Sequence, residues 1–180
     1  MTTAAIARPA ETEYAPYYGR YIALVPDGDV VDTLARQIED TAQLLRGVTE
    51  RDADFRYAEG KWSIKEVIGH LADTERIFSY RALRFARADA TPLPGYDENA
   101  FVRNARFAER TLSDLFAELR AVRGATVALF GGLAPDELAR RGVANEKEMS
   151  VRAAAYVIAG HERHHGAILR ERYLGALRAG

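Results

Sequence analysis

Residues 153–174 read AAAYVIAGHERHHGAILRERYL, and this stretch decides the fold. At about 100° per residue, Ala154, Ile158, His161, His165 and Ile168 fall on one narrow stripe, so the segment is an amphipathic helix with His161 and His165 one turn apart on its apolar face. Three of the chain's four histidines lie here. The fourth, His70, stands in a second strongly helical stretch, SIKEVIGHLADTERIFSYRALRFA, which Ser63 and Glu66 open as a capping box. On that helix Ile64, Val67, Leu71, Phe78 and Phe85 form the core stripe. His70 lies about 80° from its centre, on a border that can look into a cleft. If the two helices pack together, three neutral nitrogen donors converge on one divalent cation and leave coordination positions open, as a reactive rather than a sealed site requires.

Two more helical patterns flank these. Val31, Leu34, Ile38, Ala42, Leu45 and Val48 keep helical spacing behind the acidic start Asp29 and Asp32. Leu112, Leu115, Leu119, Val122 and Leu129 follow the caps Thr111 and Asp114 and run to the stop at Gly131 and Gly132. No segment alternates with period two, so the expected fold is all-α, an antiparallel four-helix bundle in one domain spanning residues 1–180. Helices 2 and 3 are joined by a long crossing connection, residues 87–111, which is longer than most helix connections. Within it Pro92, Pro94 and Gly95 force a turn, Tyr96 and Asp97 follow as turn and cap residues or as pocket lining, and residues 99–106 suit a short helix. Residues 1–28 have no helical period and read as an extended N-terminal arm whose Tyr17, Tyr18 and Tyr21 anchor it to the body, without a chemical role. Residues 135–148 read as a charged linker with one helical turn at 135–139, and Ser150 caps the histidine helix.

Composition narrows the function. Lys and Arg number 25 against 26 Asp and Glu with the signs interspersed, which offers no basic stripe for nucleic acid. No apolar run approaches the roughly 20 residues that span a bilayer and no secretory leader stands at the start, so no membrane partner and a cytoplasmic location are expected. The chain has no cysteine, so any thiol chemistry must use an external sulfur.

His164 lies about 60° to one side of His161 and His165 about 40° to the other, so either can pair with it across one turn; His165 is nearer the stripe centre and is preferred. The string HERHH also satisfies H-E-x-x-H, the zinc-protease pattern. No third ligand follows at a protease-like spacing and no strand is on hand to hold a peptide, so a protease is disfavoured. Glu162 remains a candidate base or partner to a ligand, and Asp73, which flanks His70, is another.

The blocks KWSIKEVIGHLADTERIF, TPLPGYDENAF and AGHERHHGAIL together resemble the DinB-like superfamily, also described as YfiT-like metal-dependent hydrolases, over nearly the whole chain. The resemblance implies a four-helix bundle with an up-down-down-up crossing, often a homodimer. It also implies one divalent metal ion per chain, zinc or nickel foremost, held by His70, His161 and His165, with residues 94–97 of the crossing segment nearby. Some members resemble transferases that join a low-molecular-weight thiol to a small-molecule acceptor; others are described as hydrolases. Three neutral imidazoles leave the metal's charge uncompensated, which suits either thiolate or hydroxide. The leading expectation is a metal-dependent S-transferase. The alternatives are a hydrolase acting through metal-bound hydroxide and a stress-associated metal-binding bundle without turnover.

Overall fold

The structure, a computed structural model, describes residues 5–179. Side-chain caps set where most of the helices begin. After 3-10 turns at Glu11–Glu13 and Pro16–Tyr18 come α1 (Gly19–Ile22), then α2 (Val30–Leu44), whose first turn is capped by Asp29 Oδ1 accepting from the Val31 amide at 2.9 Å. Next are α3 (Glu50–Ala53) and α4 (Ile64–Ala86), the latter opened by the Ser63 and Glu66 capping box. Asp97 caps α5 (Glu98–Asn104), a 3-10 turn follows at Phe107–Glu109, and Thr111 caps α6 (Leu112–Gly131). Then come α7 (Pro135–Ala139), strands β1 (Arg141–Ala144) and β2 (Lys147–Ser150), and α8 (Val151–Ile168), capped by Ser150. A π-helical segment, Leu169–Leu174, carries α8 into α9 (Gly175–Ala179).

The four long helices form the bundle. Helices α2 and α4 each pack against both α6 and α8, which places α2 and α4 on a diagonal. Glu75 meets Arg123 and Ser79 meets Thr126, so α4 and α6 run the same way. Across α2 and α6 the pairing reverses, Leu34 meeting Arg123 and Glu39 meeting Arg120. It also reverses across α4 and α8, where His70 meets His161 and Trp62 meets His165. The bundle is therefore antiparallel across those two pairs but parallel between α4 and α6, where an antiparallel bundle was expected; the connection between these two helices is long enough to return to the same end.

Two stretches differ from the sequence reading. Residues 141–150, of which 141–148 were expected as charged linker, form an antiparallel hairpin in which Arg141 pairs with Ser150 and Ala144 with Lys147. Its turn residues Asn145 and Glu146 have φ of 51° and 60°, the left-handed pair that a two-residue hairpin of matching twist requires. Four-residue strands are too short to show alternation, which is why the pattern was invisible. Gly142 lets the Phe85 ring pack directly against the hairpin backbone, since a Cβ there would come within 2.0 Å of the ring. Leu93 bridges in parallel to Ala144, its amide donating to Val143 O at 2.9 Å, and so stitches the segment after α4 to the hairpin. The N-terminal arm, expected to be extended, instead carries the two 3-10 turns and α1 over its described residues, and it buries Tyr18, Tyr21 and Ile22.

The core is divided by a polar layer. One apolar cluster holds Val30, Leu34, Phe78, Phe85, Phe130 and the start of α8; the other holds Ile68, Leu71, Leu115, Leu119, Leu169 and Tyr173. Along α4, α6 and α8 the switch from one cluster to the other falls at buried polar residues: Thr74 and Glu75, one turn beyond His70, then Arg123, then His161 and Glu162. Gln37 and Thr41 of α2 join the same layer. Burying such groups is tolerated only when they are partnered, so the layer is where function or specificity is to be sought. Among the described residues no helix is long and apolar enough to cross a membrane.

Candidate metal centre

The polar layer separates into two networks. In the first, α4 supplies His70 and α8 supplies His161 and His165, and one ring nitrogen from each lies within 4.8 Å of the other two. His70 Nε2 is 3.1 Å and His165 Nε2 is 3.2 Å from the same atom, His161 Nε2. Each neutral ring nitrogen offers either one N–H or one in-plane lone pair, so hydrogen bonding within the trio cannot give both approaches a well-aligned partner. Two nitrogens bound tetrahedrally to a cation at about 2.05 Å stand about 3.3 Å apart, close to what is seen. The donor set fits a divalent transition metal. His164, which the sequence left as an alternative, is outside the trio and meets the edges of Tyr21 and His165, with ring centroids at 5.4 and 5.3 Å.

Burial sets the protonation of these rings. It lowers the His70 pKa to about 4 and that of His165 to about 3, and it drives His161 well below the usual range, with the neighbouring histidines acting in the same direction. All three are neutral near pH 7 and keep their lone pairs for a ligand. In protein free of any bound cation this costs stability in acid. The unfolded state takes up a proton at His70 near pH 6.5, while the folded state refuses it until about pH 4. Stability is thus complete above pH 6.5 and falls as pH drops through that window, by roughly 3 kcal/mol for His70 alone. Urea midpoints measured in chelator between pH 7 and pH 4.5 should show this slope, with His161 and His165 adding to it, and His70→Gln should reduce it by His70's share; an equal slope in the variant would refute the assignment.

The rings are held from outside. Thr74, one turn along α4, places Oγ1 3.4 Å from His70 Nδ1 and 2.9 Å from the Tyr96 hydroxyl. Trp62 packs 4.6 Å from the His70 ring and lies stacked on His165 at 6.4 Å, and Tyr173 OH donates to the Trp62 carbonyl at 2.6 Å. Tyr21 packs edge-on to His161 at 5.4 Å. The arm approaches this closely because residue 160 is glycine: a Cβ there would stand 2.0 Å from the Tyr21 carbonyl oxygen. A cavity of about 480 Å³ opens beside His161, lined among others by Tyr18, Thr74, Phe78, Arg81, Tyr96 and Asp97. Tyr96 thus lines the pocket. Asp97 does so as well, but its Oδ1 is engaged by the amides of Asn99 and Ala100 at 2.9 and 3.1 Å.

The two candidate bases lie elsewhere. Glu162 belongs to the second network: its carboxylate accepts from Thr41 Oγ1 at 2.6 Å, Arg123 Nη2 at 2.6 Å and Gln37 Nε2, and from no histidine. Arg123 also forks onto Glu75 at 2.9 and 2.8 Å. Burial works against its charge, yet the two carboxylates outweigh burial and hold the guanidinium above its usual pKa. Asp73 is half-buried with Arg76 at 3.7 Å, and burial raises its pKa; it does not line the cavity beside His161. Trp62, Tyr21 and Arg81 were missed as site residues in the sequence. Only the spacing of Thr74 and Arg81 from His70, four and eleven residues along one helix, was a readable signal.

No curated protein sequence matches the chain. Among solved structures it is similar to YfiT from Bacillus subtilis, described as "a probable metal-dependent hydrolase with an unusual four-helix bundle topology", at 20% identity and a TM-score of 0.67, covering 92% of this chain and 90% of that one. The profile of the DinB superfamily matches residues 33–169. That match runs from within α2 to just past α8 and takes in every helix that carries a histidine of the trio, and the chain belongs to the DinB superfamily.

Proposed function

We propose that the chain is a metal-dependent enzyme in which His70, His161 and His165 hold one divalent ion, zinc or nickel foremost among the metals that imidazole suits, at the wall of the cavity. The single observation that carries this reading is the approach of two Nε2 atoms to a third at 3.1 and 3.2 Å, in rings that burial keeps neutral. When bound there, such an ion supplies Lewis acidity that activates a small nucleophile.

The chain's own residues supply the rest. With His70 Nε2 turned to the trio, Nδ1 carries its proton toward Thr74, which fixes tautomer and ring orientation. Burial raises the Tyr96 pKa, so its hydroxyl stays protonated and can donate to an oxygen of the substrate or leaving group. The segment at residues 87–111, read as the crossing connection between α4 and α6, brings Tyr96 over the cavity.

Between the two nucleophiles we infer an external thiol before water. Water attack gains most from a positioned base, and Glu162 and Asp73 are both engaged away from the trio. A thiol is the stronger acid of the two, so with a cation held by the trio it would need such a base less than water would. Glu162 is then a positioning residue and Asp73 takes no part. The test is turnover by metal-loaded protein given an electrophile with a small thiol, against an activated ester in water alone. Thioether formation dependent on metal supports S-transfer, ester cleavage without thiol supports the hydrolase, and inactivity in both overturns the enzymatic reading.

A further inference from the structure

The cavity beside His161 is also lined by a buried arginine. Two arginines of the bundle are almost fully enclosed, Arg123 at 2% exposure and Arg81 at 4%. Arg123 has two carboxylates. Arg81 has none within 4.0 Å among the described residues; it donates from Nη2 to the Pro94 carbonyl at 3.0 Å and lies 5.1 Å from the Phe78 ring centroid and 6.0 Å from that of Tyr96. A guanidinium withdrawn from water without a counter-charge is unfavourable, and its side chain lines the cavity. Its flat fork, fixed by one carbonyl and aromatic faces, matches a planar oxyanion.

The placement gives the ligand a direction. His70, Thr74, Phe78 and Arg81 follow one another on one stripe of α4, so a continuous wall joins the trio to the guanidinium. Eleven residues span about 16 Å of helix axis. Helical side chains lean toward the N-terminus, and the longer arginine leans further than the histidine, so the guanidinium and the His70 ring stand somewhat closer than that along the wall. The other charges on the wall do not answer Arg81: Asp97 is engaged in its cap, and Glu98 and Lys147 are exposed.

We propose that Arg81 is a specificity-determining residue that binds the carboxylate of a substrate whose reacting group lies at the histidine trio. The substrate class is a medium-sized organic acid with an apolar or aromatic middle, to suit Tyr18, Phe78 and Tyr96. The orientation of the ligand rests on the proposed metal centre; the carboxylate subsite itself does not.

The two are separated by measuring binding in metal-free protein. Phenylbutyrate and its neutral isostere phenylbutyramide are titrated calorimetrically at low salt into chelator-treated wild type. The acid should bind at least about tenfold more tightly than the amide. Arg81→Met should abolish that preference, Arg81→Lys should keep part of it, and Lys147→Ala should leave it intact. Equal affinity of wild type for acid and amide overturns the assignment, as does a preference unchanged in Arg81→Met or lost in Lys147→Ala. If Arg81→Met does not fold, the wild-type comparison and Lys147→Ala still decide. Failure of the metal centre would show separately, as acid preference retained in a protein that takes up no metal.

Discussion

His70→Ala protein, purified without an affinity tag, is expected to carry less than about a tenth of the metal retained by wild type, and wild type about one ion per chain. Three ligands from two helices make the site, and His70 is the only one from α4. Its loss leaves two nitrogens on a single helix turn, which hold a cation no better than many exposed pairs. Turnover should fall by at least about a hundredfold at limiting metal and recover in part at high metal. Elemental analysis of the two proteins is the check. A variant with full metal content would place the ion elsewhere and remove the basis of the proposed chemistry. The imidazole ring of His70 is enclosed at 2% exposure, so a parallel melting curve is needed to show that the variant is folded.

Arg123→Leu should be the most destabilising single change in the polar layer, by roughly 3–5 kcal/mol. The guanidinium is shared between Glu75 on α4, Glu162 on α8 and the Leu34 carbonyl of α2, so one side chain of α6 ties all four bundle helices together. Removing it leaves two carboxylates buried without a cation, a larger penalty than the pair's own contribution. For a domain of this size the melting temperature should drop on the order of 10 °C. Adding Glu75→Gln should restore part of the loss by removing one stranded charge. A change below about 1 kcal/mol in a urea titration would refute this account. Because Glu162 adjoins His161 in sequence, the variant should also hold metal more weakly even where it folds, which links the structural network to the proposed centre.

The helical segments, their caps and the histidines that converge were legible in the sequence because each depends on local rules. Ser63 with Glu66, Thr111 and Ser150 cap their helices as their spacing indicates, and a border position on α4 placed His70 where it can meet α8. The hairpin was not legible, since four-residue strands closed by two left-handed non-glycine residues leave no periodic trace. Nor was the ordering of the arm, whose turns are secured by contacts with α8.

Sequence periodicity by itself determined which residues share a helix face, and so brought His161 and His165 together and set His164 aside from the stripe centre. Only the tertiary structure decided what each polar residue faces across the bundle. Helical spacing fixes a side chain's direction from its own axis but says nothing of the helix opposite. That is why Glu162, one residue from His161, lies with Arg123 away from the trio, while Arg81, eleven residues from His70, lines the cavity that opens beside the trio.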